Sequence, residues 1–322
     1  MKKKLALLLA AAMTAASLAG CGGGSDGAAG GNLKFTTGGD GGTYYAFGGI
    51  LAGQVTNTTG TSVTAITSGG SKANIQAMQD GDAQLGFVQS DVMDYAYNGT
   101  RLFDAAVTDF STVAALYMEQ VQIVTLDPSI QSVEDLRGKT VSVGDAGSGV
   151  NFNAIDILGV YGLNVETDIN PVYESFSTSA ESLQDGKIDA AFVVAGAPTN
   201  AITSLSTTRS VFLVNLDDAH IEELQAISPY YTKSVISADT YDTPEDVTTV
   251  AVGAVVVARD DVSEDDVYNF VSAVFEHIDD VTAVHAKGAE LNLDFAASVT
   301  SVPYHPGAAK YFAEKGLTVA TK

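Results

Sequence analysis

From Leu33 onward, short runs of apolar and β-branched residues alternate with helical stretches, and three of the switches from strand to helix pass through glycine-rich turns. A chain written this way folds as doubly wound α/β layers, because each strand needs helices against its faces and each turn must reverse the chain tightly. Strands are expected at 33–37, 62–67 and 85–89, with helices at 44–55 and 72–79 between them. A second series places strands at 140–144 and 188–194 and helices at 150–161, 179–184 and 198–205. A later strand at 250–258 precedes a helix at 263–278.

Both series contain one shared phrase. Gln79-Asp80-Gly81 leads to Phe87-Val88, and Gln184-Asp185-Gly186 leads to Phe192-Val193 with the same spacing from glycine to phenylalanine. The phrase reads as a helix stopped by a left-handed glycine and followed by a buried strand. Its recurrence points to two related lobes.

The N-terminus speaks to compartment. Lys2, Lys3 and Lys4 precede an apolar run from Leu5 to Ala12, and Leu18-Ala19-Gly20-Cys21 follows. This is the order of an export signal, and its apolar stretch is shorter than the roughly 20 residues of a membrane span. Residues 1–20 are expected to be a signal peptide, Cys21 the lipidated residue of a lipoprotein, and 21–31 a flexible glycine-rich tether. The expected location is extracytoplasmic, anchored by lipid to the cell membrane on its periplasmic or outer face. With one cysteine in the chain, an intramolecular disulfide is excluded.

About 290 residues remain for the folded body, enough for two domains, and an apolar content of 46% supplies both with a core. The formal charge of −23 argues against nucleic acid or an anionic membrane surface as partner. In such a field a small anionic ligand needs strong local donors.

The three glycine turns offer them. They are Gly38-Gly39-Asp40-Gly41-Gly42-Thr43, Ser68-Gly69-Gly70-Ser71 and Gly144-Asp145-Ala146-Gly147-Ser148-Gly149. Each ends a strand and starts a helix, leaving backbone N–H groups unpaired at a positive helix end with a hydroxyl alongside. Thr43, Ser71 and Ser148 are read either as plain N-caps or as donors to a ligand. Their place at the carboxyl ends of strands, in both series, favours the ligand. Tyr44 and Tyr45 add amphipathic rings, Gln89 an amide at the end of its strand, and Asn74 a second amide one turn past Ser71.

Other chemistries fail on spacing. Gly138-Lys139-Thr140 resembles the end of a phosphate-binding loop, but Val133 stands where its first glycine belongs and a strand follows. Gly39 and Gly41 lack the third glycine of a dinucleotide fingerprint, whose place Tyr44 takes. His220, His277, His285 and His305 show no metal-binding spacing, and no Gly-x-Ser-x-Gly elbow occurs. Glu264, Asp265 and Asp266 behind Ser263 read as a solvated helix start rather than a calcium loop. Neither metal, cofactor nor catalytic residue is expected.

In this order the residues resemble the TAXI-type solute-binding receptors of tripartite ATP-independent periplasmic (TRAP) transporters. The resemblance runs from Leu33 to the C-terminus through Gly41-Gly42-Thr43-Tyr44-Tyr45, Ser68-Gly69-Gly70-Ser71 with Asn74, Gln89-Ser90-Asp91 and Gly144–Gly149. Thr240-Tyr241, Asp246–Val250 and Pro303-Tyr304-His305-Pro306-Gly307-Ala308 continue it. It implies a two-lobed periplasmic-binding-protein fold of type II kind, with a ligand cleft between lobes joined by a hinge. Lobe 1 would hold 32–125 and 228–322, lobe 2 126–227. Thr43, Tyr44, Tyr45, Ser71, Asn74, Gln89, Ser148, Gly149, Val150, Phe192, Gly196 and Pro198 would line that cleft. The implied ligand is glutamate, glutamine or a related dicarboxylate, the implied partner an ion-coupled permease, and the receptor a monomer. Val150 departs from the pattern, in which a threonine is common, so a hydroxyl is lost there; Asn151 follows, where a charged or polar residue is common. Arg101, Arg137, Arg209 and Arg259 have no evident pocket placement, so backbone amides would dominate. An enzyme on the same fold, or a receptor for an ATP-driven permease or a signalling partner, stays open as an alternative.

Overall fold

The computed structural model describes residues 31–101 and 103–322. The expected signal peptide, Cys21 and the tether as far as residue 30 lie outside the described residues. Gly31, the last tether residue, is held by the fold: its N–H donates to Asp266 Oδ1 at 2.8 Å.

The strands are β1 (Asn32–Thr36), β2 (Ser62–Ile66), β3 (Leu85–Gln89), β4 (Phe110–Thr125), β5 (Thr140–Ser142), β6 (Asn170–Val172), β7 (Ala190–Ala195), β8 (Phe212–Leu213), β9 (Thr232–Ile236) and β10 (Val247–Arg259). Their hydrogen-bonded order is β2-β1-β3-β10-β4-β7-β5-β6, with β8 beside β4 and β9 beside β10. At one end β2, β1 and β3 run parallel, and at the other β6, β5 and β7 do the same. The two ends are thus copies in topology. Both shared phrases close the same way: Gly81 and Gly186 take left-handed φ of 79° and 69°, and Phe87 and Phe192 are fully buried on β3 and β7.

Two strands traverse both halves. β4 and β10 pair antiparallel from Phe110–Arg259 to Gln120–Ala251, with register shifts at Ala254/Val255 and Val256/Val257 that bend the ladder. Val113 and Tyr117 of β4 and Val256 of β10 belong to a core with Phe35, Phe47, Phe87 and Phe270. Val121 and Ile123 of β4 and Val250 and Val252 of β10 belong to another, with Val141, Ile157 and Phe192. The packing therefore changes sides between Tyr117 and Val121 and between Val252 and Ala254. Residues 125 and 228, the limits implied by the resemblance, fall at the end of β4 and just before β9.

The helices that matter to the site are α1 (Thr43–Thr58), α2 (Ser71–Gln79), α3 (Ser90–Asn98), α4 (Gly149–Val160), α5 (Phe176–Gln184), α6 (Asn200–Ser206), α7 (Asp218–Ile227) and α8 (Glu264–Phe275). The start of α8 corrects one expectation. Asp266 is buried rather than solvated, accepting from Thr61 Oγ1 at 2.6 Å, Ser263 Oγ at 2.7 Å and the Gly31 amide, and so ties α8 to the β1–β2 edge. Among the described residues no helix is long and apolar enough to cross a membrane.

Candidate functional site

The three glycine turns face one another. Gly38, Gly39, Gly42, Thr43 and Tyr44 from the first, Gly69, Gly70 and Ser71 from the second, and Asp145, Ser148, Gly149 and Val150 from the third line one cleft with a free volume of about 50 Å3. Gln89 and Glu119 complete the wall of the first half, and Ser175, Phe176, Val194 and Ala195 that of the second.

Local chemistry explains how the turns present their amides. The N-caps of α1 and α2 are Gly42 and Gly70, and neither helix has a side-chain cap. Gly70 has φ 96°, a conformation only glycine adopts without strain, and it turns the chain abruptly into α2. Thr43 and Ser71 stand one residue inside their helices, which corrects their reading as caps. From there their hydroxyls reach elsewhere: Thr43 Oγ1 donates to Gly196 O at 2.8 Å, and Ser71 Oγ accepts from Gln89 N at 3.0 Å. Only Ser148 of the three caps its helix, accepting from Asn151 N at 3.2 Å. The first-turn amides of α1 and α2 thus have no side-chain cap and lie at the positive ends of two helix dipoles.

Sequence reasoning missed Glu119. It lies midway along β4, only 2% exposed, and Tyr44 donates its hydroxyl to Glu119 Oε2 at 2.7 Å. The Tyr44 ring stacks on Phe87 at 4.5 Å, which fixes the hydroxyl's direction. Burial drives the Glu119 carboxyl up to about 8, aided by the charge of Asp91 and opposed by the Tyr44 bond and Lys287. Burial likewise lifts Asp91 to about 6, against hydrogen bonds from Val92 and Asn153 that lower it.

These shifts have a stability consequence. Both carboxyls hold protons more tightly folded than unfolded, so between roughly pH 4 and pH 8 they make stability fall as pH rises, while His285 and His305, held below the usual imidazole range by burial, act in the opposite sense within it. The melting temperature at pH 5 should exceed that at pH 8. Glu119→Gln should flatten the dependence by on the order of a few kcal/mol. A melting temperature that climbs from pH 5 to pH 8 in the wild type contradicts this.

The halves also meet behind the cleft. Gln89 Nε2 donates to Asn153 Oδ1 at 2.8 Å, Asn153 Nδ2 donates to Asp91 Oδ2 and to Tyr231 Oη, each at 2.9 Å, and Tyr231 donates to Asp156 Oδ2 at 3.0 Å. Arg101 closes the chain on Asp156. At the opposite rim Ala201 N donates to Gly41 O at 3.1 Å and Ser177 Oγ to Asp40 Oδ1 at 2.9 Å.

The other expected site residues are distributed differently. Asn74 is buried and donates to Thr37 O and Phe87 O at 2.7 and 2.6 Å, bracing the first turn against β3 without lining the cleft. Phe192 is core, and Gly196 serves through its carbonyl to Thr43. Pro198 is exposed, and Tyr45, at 39% exposure, points to solvent; neither lines the cleft. The signal for Glu119 was the single charged residue in the run from residue 111 to 126, whose other polar members are the neutral Ser111, Thr112, Gln120, Gln122 and Thr125. Among the described residues no group of three or more His, Cys, Asp or Glu is placed to hold a metal ion.

The same fold occurs in solved structures of low identity. The alkanesulfonate-binding protein SsuA from Xanthomonas axonopodis pv. citri, bound to MOPS, is 14% identical with a TM-score of 0.50, over 88% of this chain and 90% of that one. An ancestral arginine-binding protein bound to arginine is 16% identical with a TM-score of 0.50, over 80% and 97%. The GluR0 ligand-binding core from Nostoc punctiforme, in complex with L-glutamate, is 14% identical with a TM-score of 0.50, over 80% and 99%. The architecture is that of a two-lobed periplasmic binding protein. With its sequence matched by the family profile from residue 35 to residue 316, the chain belongs to the NMT1-like family.

Proposed function

We propose that this protein is an extracytoplasmic solute receptor that captures a small metabolite bearing an acid group, of the glutamate, glutamine or dicarboxylate class, by closing its two halves around it. The observation that carries the reading is the convergence of three helix starts, from both halves, on one cleft. A carboxylate there meets oriented N–H groups in a partly desolvated space, where each bond is stronger than in water. Closure is driven by a ligand's differential affinity for the closed form, and the bending points are the middles of β4 and β10. Neighbours on this fold hold MOPS, arginine or glutamate, which supports the size class. Cys21 would carry the lipid anchor, and an ion-coupled TRAP permease would receive the solute from a monomeric receptor.

A thermal-shift panel of amino acids and dicarboxylates identifies the ligand, and calorimetry then tests the site. Ser71→Ala and Ser148→Ala are each expected to weaken binding by about 1 to 3 kcal/mol. Unchanged affinity in both folded variants rejects the site. For the partner, uptake in vesicles holding the permease should depend on added receptor; uptake that requires ATP hydrolysis by a further subunit would exclude the TRAP reading.

A further inference from the structure

We infer that α4 carries a clasp for the closed form: Phe152 is a knob of the second half that seats in an aromatic socket of the first and holds the halves together from behind the cleft. The clasp regulates the proposed solute site and rests on that reading.

A helix at the surface of one unit buries a single apolar stripe against its own core. Val150, Ala154, Ile157 and Leu158 form that stripe on α4, in one core with Val141 and Phe192. A second stripe is buried as well. Gly149, Phe152, Asn153 and Asp156 recur at the i, i+3, i+4 and i+7 spacing of one helix face, and this face meets the first half along its length. Gly149 packs on Gln89 and Ser71, Asn153 bonds Gln89 and Asp91, and Asp156 pairs with Arg101.

Phe152 stands at the centre of this face. It is 1% exposed, yet the core it joins is otherwise made of first-half residues, among them Ile75, Val88, Val92 and Phe110. Its ring lies 5.6 Å from that of Tyr95, and 6.2 Å from that of Phe103 with only 13° between the planes. The two socket rings carry cations of their own half: Lys72 Nζ is 5.4 Å from the centre of Phe103, and the Arg101 guanidinium 5.3 Å from that of Tyr95. The first half thus builds the whole socket, and the second supplies the knob alone.

Hinge opening draws α4 away from α3 and strips Phe152 of these neighbours, while Ala154 and Ile157 stay packed in their own core. Burial of the Phe152 ring therefore favours closure rather than folding, by about 10- to 100-fold. Neither Phe152 nor its socket lines the cleft. The clasp consequently tightens the grip on every solute that closure traps, and slows its release, without choosing among solutes.

The test separates a clasp from an ordinary core residue in the whole receptor. Without added solute, Phe152→Ala should lower the melting temperature by less than about 5 °C, because the open form never covers that ring. In native conditions Phe152→Cys should react with N-ethylmaleimide about 100-fold or more faster than Ala154→Cys, since opening uncovers the first position and only unfolding the second. Mass spectrometry of the labelled peptides keeps Cys21 apart. Calorimetry with L-glutamate, L-glutamine and succinate then reads the effect on binding. Any probe held by the wild type should bind Phe152→Ala about 10- to 100-fold more weakly, and Phe103→Ala should add little in that background because knob and socket act as one. Equal labelling of the two cysteine variants, a larger melting loss, or an undiminished Phe152→Ala affinity overturns the clasp and leaves the solute site standing. If the wild type binds none of the probes, the solute reading falls and the labelling ratio alone decides the clasp.

Discussion

Gly149→Ala is expected to leave the protein folded but to weaken ligand binding by about 10- to 100-fold, because it opposes closure rather than folding. A Cβ on Gly149 would stand 1.3 Å from Gln89 Oε1, 2.5 Å from Gln89 Cδ and 3.0 Å from Ser71 Oγ. All three atoms belong to the opposite half. Gln89 can yield only by breaking its bond to Asn153, which unsettles the buried chain through Asp91, Tyr231 and Asp156. Leaving one such group unpaired costs about 1 to 3 kcal/mol, and that cost is charged to the closed form alone. Calorimetry should show the loss in affinity while melting curves of the unliganded protein change little. An alanine variant that binds as tightly as the wild type would mean that Gln89 and Gly149 do not meet when ligand is held.

Phe87→Ala should produce the largest loss of stability. Phe87 is 0% exposed on β3, 4.9 Å from the ring of Phe35 and stacked on Tyr44 at 4.5 Å. Truncating a fully enclosed phenylalanine removes its burial and leaves a cavity that rigid neighbours fill only in part, a loss of about 3 to 5 kcal/mol. The same change frees the Tyr44 ring, so its hydroxyl loses its aim at Glu119 and ligand affinity should fall as well. Tyr45→Ala, one residue along but exposed, should alter stability by less than about 0.5 kcal/mol. Denaturant titration separates the two variants, and a Phe87→Ala loss below about 1 kcal/mol would contradict the packing described.

The contrast between Tyr44 and Tyr45 shows what was legible in the sequence. Glycine turns between strand and helix declare themselves by residue type, which marked Ser71 and Ser148 at helix starts as caps or ligand donors, while the cleft lining, Gly149 included, was implied by the resemblance. Neighbours on one helix, however, differ by about 100° in direction, and nothing in two adjacent tyrosines says which faces inward. The shared Gln-Asp-Gly phrase foretold the copied halves because a left-handed glycine and a buried phenylalanine are local requirements. The crossing strands were harder to read. The change of core within β4 and β10 falls in mid-strand, where no glycine cluster or charge run marks it. Glu119 was overlooked for a related reason: its meaning comes from Tyr44, 75 residues away in sequence, and from burial that only the assembled sheet supplies. Thr43 and Ser71 were misplaced by a single position, because a glycine can occupy the cap and leave the hydroxyl free.

The account turns on helix starts from both halves gripping one guest. A crystal structure of the receptor with the ligand found by thermal shift tests this directly. The guest's acid group should lie about 3 Å from first-turn amides at Ser71 and Gly149 together, with the halves closed as described here. A ligand held by one half only, or bound outside the cleft while the three turns contact water, would contradict it.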